Sequence, residues 1–496
     1  MAQAMLAQDI HIATPAAVYG LATMPVSEPS HVMRGRKMQK SAQADDGSDV
    51  ESAKDADGKN DCETDSELKP LSTKPSPMAS RSRVSTRFLI ILFCALATFA
   101  LYVDRVGFAT AYTRIARERH LPQSQKGMAF SAFYWGYAVS QVPGGLLATR
   151  FGGHACISVA FFTWSALAMC LPYVTHSVAL ICALRAAIGA AQGIVIPSMH
   201  TMLALWVPPE EKAKSVSLAT SGMYLGSAFA MFVVPHVIDA HGATAAMSGI
   251  GILGFLWLAL WQGVYSKPPV GGHHGLVEAT GEPQKPVPWL TMLTCPAVWA
   301  IVVNSFVFHY ALYMVMNWLP TYFEDVVKLP LNKLGHTALL PYLLMFVFSN
   351  FGGALGDIMV ARGISVVTTR KSINTAGFIG ASAGLMLMAG VRHHNVHTGI
   401  LTCTMAMSFL GLARGGFSIN HMDIAPNYAG VLIGISNTAG TLAGVVGVSA
   451  TGVVLDHFGG AGKMGGWLYA FGTSVVLIAI GAIHFLVAAR GNKIIE

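Results

Sequence analysis

Charge is the first thing this sequence is short of. Only 11% of its 496 residues are Asp, Glu, Lys or Arg, where soluble globular chains carry roughly 25%, so water is excluded as its main solvent. Signatures of other protein classes are missing too. There is no phosphate-cradling P-loop and no H-E-x-x-H helix, and the one G-x-S-x-G run, Gly380 to Gly384, lies inside an apolar span rather than at a strand-to-helix elbow, which removes the grounds for ATP-driven work and for hydrolytic or metalloprotease chemistry. An enzyme is not expected. Seven cysteines stand at 62, 94, 156, 170, 182, 295 and 403 without a C-x-x-C pair; structural thiols are expected, and no metal or redox centre. His273-His274 and His393-His394 lack the remaining spacing of a metal site and read as solvated loops. Residues 1–30 hold no clean apolar core of a secretory signal.

What the chain has is apolar length. Hydrophobic residues make up 53% of it, and a helix needs about 20 of them in a row to cross a hydrocarbon layer of roughly 30 Å. Twelve such spans can be drawn, at 86–112, 126–150, 154–175, 177–206, 213–238, 243–265, 295–322, 336–361, 370–390, 397–420, 426–455 and 465–489. Many are rich in Gly, Ala, Ser and Thr, as where helices pack on one another in lipid. Gly189-x-x-x-Gly193, Gly222-x-x-x-Gly226 and Gly440-x-x-x-Gly444 read as close helix contacts rather than ligand loops. The expected fold is an all-α membrane protein of two six-helix bundles, 81–265 and 295–490. A polar tail at 1–80, with the acidic run Asp45 to Glu51, cannot offset its ordering entropy and is expected to be disordered. Residues 266–294, with Pro268-Pro269 and Gly271-Gly272, form the linker.

The formal charge of +7 does not argue for nucleic acid, because the basic residues sit mostly at span ends. They bear on orientation instead. Arg81, Arg83, Arg87, Arg150, Lys212, Lys214, Arg362, Arg370 and Lys371 fall on the side of the N-terminus, which places both termini in the cytosol or its equivalent. The cluster Arg114, Arg117, Arg119 and Lys126 falls on the opposite side and weakens the bias. The partners expected are a small anionic substrate and the lipid bilayer, with the chain acting as a monomer. Plastid, other endomembrane and plasma membrane are all left open; Arg34, Arg36, Lys37 and Lys40 suit a plastid transit peptide, and the acidic run after them does not.

The two halves repeat each other. Gly144-Gly145-Leu146-Leu147-Ala148-Thr149-Arg150 ends the second span, and Gly352-Gly353-Ala354-Leu355-Gly356-Asp357, followed by Arg362, ends the eighth. Val237-Ile238-Asp239-Ala240-His241-Gly242 near the end of the fifth span has its counterpart in Val454-Leu455-Asp456-His457-Phe458-Gly459 at the eleventh. Duplicated halves are a mark of transporters whose site lies near the bilayer midplane.

Arginine inside an apolar span costs on the order of 3 kcal/mol to insert and ordinarily faces a cavity or the bundle interior. Three qualify: Arg105, Arg185 and Arg414. A guanidinium offers a rigid fork of donors to carboxylate or phosphate oxygens, so each is a candidate anion contact. Each could instead hold the bundle together by pairing with an interior acid or carbonyl. Arg185 shares a helical face with Gly189, Gln192 and Ile196, with no acid on that face, whereas Arg105 follows Asp104 directly. Arg414 shares a face with Ser418 and His421. In the seventh span, His309, Tyr313 and Asn317 form a polar stripe; in the second, Tyr134 and Gln141 share a face, with Tyr134 the better substrate contact. Asp104, Asp357 and His421 are the candidates for handling a cation or proton, and Arg414 joins them as a gating candidate.

The two glycine-rich span ends resemble the loop motif of the major facilitator superfamily. Within it, the chain resembles the anion-cation symporter group of sodium-phosphate, vesicular glutamate and plant organellar phosphate transporters. The similarity lies in Tyr102-Val103-Asp104-Arg105, Phe133-Tyr134-Trp135-Gly136-Tyr137, Gln141-Val142-Pro143-Gly144-Gly145, Trp206-Val207-Pro208-Pro209-Glu210-Glu211-Lys212, Asn317-Trp318-Leu319-Pro320-Thr321-Tyr322-Phe323, and Asn420-His421-Met422-Asp423-Ile424-Ala425-Pro426-Asn427-Tyr428-Ala429-Gly430. It covers about residues 86–490. The resemblance implies that spans 1, 4, 7 and 10 line a central cavity and that Arg105 and Arg185 match family arginines. It also implies cation-coupled anion transport, with phosphate ahead of organic anions such as ascorbate, glutamate or a nucleotide. Co-transported Na⁺ or H⁺ is expected and no other cofactor. A receptor that kept the fold and lost transport is the alternative from another class. Three departures stand out: Gln192 where many relatives place a Glu, Thr149 in place of the first loop motif's Asp, and Phe130 and Phe308 where vesicular glutamate members carry His and Arg.

Overall fold

Backbone groups inside a hydrocarbon layer have no water to bond, so apolar spans must close their hydrogen bonds within themselves. In the computed structural model, which describes residues 77–207, 209–264, 287–329, 331–391 and 395–495, the described residues are overwhelmingly helical and no strand occurs among them. The polar run at 1–76, most of the linker, and both His-His pairs lie outside these residues.

Among the described residues, twelve long helices follow one another. The first half contains Pro77–Glu118, Gln123–Phe151, Gly153–Cys170, Val178–Gly193 continued after Ile194 as Val195–Trp206, Pro209–His241 and Ala243–Val264. The second contains Pro296–Asp325, Leu331–Ala361, Val366–Ala389, Val396–Phe417, Ala429–His457 and Met464–Ala488. We number them first to twelfth. Among the described residues, eleven are long and apolar enough to cross a membrane. The exception is the second helix: its 29 residues reach roughly 40 Å, but Gln123, Ser124, Gln125, Lys126, Ser131, Ser140 and Gln141 lower its hydropathy. It packs on the fourth and eleventh helices, so much of its surface meets protein rather than lipid.

Three boundaries differ from the sequence expectation. The first helix starts at Pro77, inside the segment read as tail, and runs on to Glu118, so Arg114 and Arg117 are helical rather than loop residues. The fourth breaks at Ile194, three residues before Pro197, whose ring removes a backbone donor and crowds the carbonyl of Gly193. A short helix, Trp289–Thr294, occupies the end of the expected linker.

Packing repeats between the halves. The second helix packs on the fourth as the eighth does on the tenth, and the third on the sixth as the ninth on the twelfth. The fit is close enough to require glycine: a Cβ at Gly136 would collide with the carbonyl oxygen of Ala186, and one at Gly189 with that of Phe133. Across the halves, the second helix packs on the eleventh and the fifth on the eighth.

On the side opposite the termini the halves are pinned together. Arg117, in the last turn of the first helix, pairs with both Glu324 and Asp325 at the end of the seventh. Lys126 donates to Thr321 Oγ1 at 2.9 Å and lies over the Trp318 ring. The Asp456 carboxylate accepts from the backbone N–H groups of Gln123 and Ser124, both at 2.7 Å. Much of the basic cluster that blurred the orientation is therefore consumed in a seam: Arg117 and Lys126 serve it, and Arg114 pairs with Glu118.

Candidate functional site

Below that seam, toward the termini, the halves part around a cavity of about 340 Å³. Its wall runs from Arg105 and Met316, partway along the first and seventh helices, to His200, Val216, Ile419 and Ile433 near the helix ends on the terminus side. Since the far end is pinned, the cavity is reached from the side of the termini. Its volume falls in the roughly 300–1,000 Å³ range of small-molecule sites.

Arg105 is 4% exposed and has no ion-pair partner among the described residues. Its guanidinium sits between Tyr102, Phe133 and Tyr137, with its carbon 4.6, 4.8 and 4.6 Å from the three ring centroids. Its Nε is buried without a hydrogen-bond partner. Aromatic faces offset some of the cost of burying a cation, yet they accept no planar pair of hydrogen bonds. What remains is an unfilled fork of donors on a cavity wall, the arrangement that a small oxyanion completes.

Arg185 meets the opposite fate. Its Nη1 donates to the Asp104 carboxylate at 3.1 and 3.4 Å, and Gln192 Nε2 donates to the same carboxylate at 2.8 Å. All three side chains are almost fully buried, and neither Arg185 nor Gln192 lines the cavity. The two do share a face of the fourth helix, but that face meets an acid from the first helix. The expectation that they present themselves to substrate is corrected accordingly: in this conformation they satisfy Asp104, which is itself behind the wall. The Phe133 ring lies 4.8 Å from both guanidinium carbons and separates the free arginine from the paired one.

A buried ion pair leaves a costly orphan when one member is removed. Asp104→Asn is therefore expected to destabilise the protein by about 3–5 kcal/mol, and Asp104→Asn combined with Arg185→Gln to regain most of that. Thermal unfolding of the detergent-solubilised protein checks it; a double variant no better than the single one would show that the pair does not carry the cost.

The remaining candidates divide by position. His309 and Tyr313 line the cavity; His309 Nδ1 is 2.7 Å from the Ser305 carbonyl oxygen, which makes that nitrogen a donor. Asn317 and Tyr134 do not line it. Asn317 Nδ2 donates to Tyr134 Oη at 2.9 Å and to the Tyr313 carbonyl at 2.8 Å, and Tyr134 packs on Tyr313 with centroids 4.6 Å apart, so the pair bridges the halves beyond the cavity. The preference for Tyr134 over Gln141 is reversed: Gln141 is on the wall, donating to Thr441 Oγ1 of the eleventh helix at 2.9 Å.

Arg414 and His421 also line the cavity. Arg414 Nη1 donates to Tyr224 Oη at 2.6 Å, joining the tenth helix to the fifth. His421 places Nδ1 2.7 Å from the Ser418 carbonyl and Nε2 2.8 Å from Ser436 Oγ. Asp357 is exposed at the end of the eighth helix, away from the cavity. The acid drawn inward near that loop is Asp423, paired with Arg370 at 2.8 Å. The wall residues not singled out from sequence include Tyr102, one turn before Arg105 on the same face, and Asn437 and Thr441, one turn apart on the eleventh helix. That i, i+3 or i, i+4 spacing was the available signal. Among the described residues, no three His, Cys, Asp or Glu side chains gather in a way that could hold a metal.

Residues 94–448 match the Major Facilitator Superfamily. The chain belongs to that superfamily. Its relatives place it in the anion-cation symporter family, as the motifs implied. It is 42% identical over 426 residues to probable anion transporter 6 of Oryza sativa subsp. japonica, covering 83% of this chain and 99% of that one. It is 32% identical to both the chloroplastic ascorbate transporter and the chloroplastic sodium-dependent phosphate transport protein 1 of Arabidopsis thaliana, covering 83% of this chain and 76% and 80% of theirs. Among solved structures, a bacterial homolog of the human lysosomal transporter Spinster, in an inward-facing and unoccupied conformation, matches with a TM-score of 0.67 at 14% identity, over 82% of this chain and 97% of that one. As a facilitator-fold protein embedded in a membrane through its helices, this superfamily member is a transporter and not an enzyme.

Proposed function

We infer that this protein carries small anions by alternating access, as a monomer, with inorganic phosphate its leading substrate and a co-transported Na⁺ or H⁺ supplying the work. The observation that carries the reading is Arg105, a guanidinium with no ion-pair partner among the described residues, on the wall of a midway cavity open to one side. An anion docking there replaces nothing that the arginine already holds. The names of the relatives agree with an anion as cargo and, in one case, with sodium and phosphate.

The two halves would rock about the pairings of helices 2 with 11 and 5 with 8. The seam of Arg117, Lys126 and Asp456 would open as the terminus side closes. Moving one net charge through 100 mV is worth about 2.3 kcal/mol, so uptake of an anion against a negative interior calls for accompanying cations. Gln192 cannot take up a proton as a Glu would, which leaves Asp104, already held by Arg185, and His421, whose Nε2 faces a hydroxyl, as the coupling groups.

Reconstituted protein tests this. Radiolabelled phosphate uptake into proteoliposomes is expected to saturate, to require a sodium or a proton gradient, and to resist competition by ascorbate. A second reading, an organic anion, has its own support in the aromatic wall of Tyr102, Tyr137, Phe308 and Tyr313. Ascorbate uptake without phosphate uptake would establish that reading instead. Binding of either without flux would indicate a receptor.

A further inference from the structure

A second chamber adjoins the central cavity. It lies between the fifth, eighth and tenth helices, toward the side of the termini, and holds about 240 Å³. That is below the range of drug-sized sites and leaves room for a tetrahedral oxyanion. Thr220, Tyr224, Arg414, Ser418 and Ile419 line both spaces, so Arg414 stands in the partition. Among the described residues that line the chamber none is acidic, and Arg414 is the one cation.

The donors available there suit an anion. Arg414 uses Nη1 on Tyr224 Oη, and among the described residues no ion-pair partner claims its remaining N–H groups. The hydroxyls of Thr220 and Ser221 donate to carbonyls of their own helix. Those of Ser217 and Ser418 make no hydrogen bond among the described residues, and both side chains line the chamber. Tyr224 Oη also lies 3.4 Å from Ser349 Oγ, so the partition is tied to the eighth helix as well.

We propose that this chamber is a second oxyanion subsite, in which Arg414 with Ser217 and Ser418 receives phosphate from the terminus side before it passes to Arg105. The inference rests on the anion-carrier reading above and adds a loading step to it. A guanidinium that faces both spaces can hand an anion across the partition without the anion ever losing its cationic partner. The chemistry recognised is a phosphate oxyanion, which free phosphate and a phospholipid headgroup share; free phosphate is the occupant proposed, because the chamber shares a wall with the solute cavity.

Equilibrium binding of radiolabelled inorganic phosphate to the full-length protein in phospholipid-free detergent tests it. Wild type is expected to bind two equivalents. Arg414→Gln and Arg105→Gln should each bind one. Ser217→Ala with Ser418→Ala should weaken the outer equivalent at least about a hundredfold, the scale of two charge-assisted hydrogen bonds, and keeps the test alive if Arg414→Gln does not fold. One equivalent in wild type, lost in Arg105→Gln and untouched in Arg414→Gln, would overturn the subsite and leave the carrier reading standing. No binding, or binding indifferent to Arg105→Gln, would overturn both. If added phosphatidylglycerol displaces the outer equivalent but free phosphate cannot displace that lipid, the chamber is a lipid site and the proposal fails.

Discussion

Arg105→Gln is expected to leave a folded protein that moves almost no anion. The side chain holds no ion pair in the described residues, so removing its charge strands no buried acid. This is the reverse of the situation at Arg185. What disappears is a pair of charge-assisted hydrogen bonds to the docked anion, each worth about 1.5–3 kcal/mol, so uptake at low substrate should drop at least a hundredfold. Arg105→Lys is expected to recover little, because an ammonium has no planar fork and the three rings around it are spaced for a flat cation. Phosphate uptake in proteoliposomes, with thermal stability of each variant measured alongside, separates the two arginines. If Arg105→Gln kept more than a tenth of wild-type uptake, the anion site would have to lie elsewhere.

The other large effect is structural. Gly136 of the second helix and Gly189 of the fourth face each other's helix backbones, and a Cβ at either meets a carbonyl oxygen that cannot rotate away. Gly136→Val and Gly189→Leu should each cost at least about 3 kcal/mol, the upper end for overpacking a tight interior, and the yield of monodisperse protein on size exclusion should collapse. Gly145→Ala is the control. Its nearest neighbour would be Pro197 Cβ at 3.8 Å, ordinary contact, so it should purify like wild type. Equal yields for all three variants would mean that the second and fourth helices can move apart without penalty.

These cases show what a linear sequence carries. The spans were legible because apolar length is local: each helix needs only its own residues to declare itself. The break at Ile194 had a local cause as well, in Pro197, and went unread because prolines at 143, 235, 320 and 341 sit inside unbroken helices. Arg105 was legible as a charge in an apolar run. Its freedom, and the captivity of Arg185, were not, since they depend on an acid 81 positions away from Arg185 that reaches across from another helix. The rank of Tyr134 over Gln141 failed similarly. Both lie on one face of one helix, and only the seventh and eleventh helices decide which of them a solute meets. Asp357 misled for a different reason, because a motif match locates a residue along the chain and says nothing of the wall it faces.

The start of the second helix has a property that no cap of its own supplies. Pro122 at that position offers no side-chain acceptor, and the first free amides are satisfied by Asp456 from the other half of the molecule. Whenever the far side parts, those amides lose their acceptor and must be wetted. Under the alternating access proposed above, hydration of a helix tip belongs to every turnover, and a solute that withdraws water from the far compartment would slow the cycle without ever touching the anion's path.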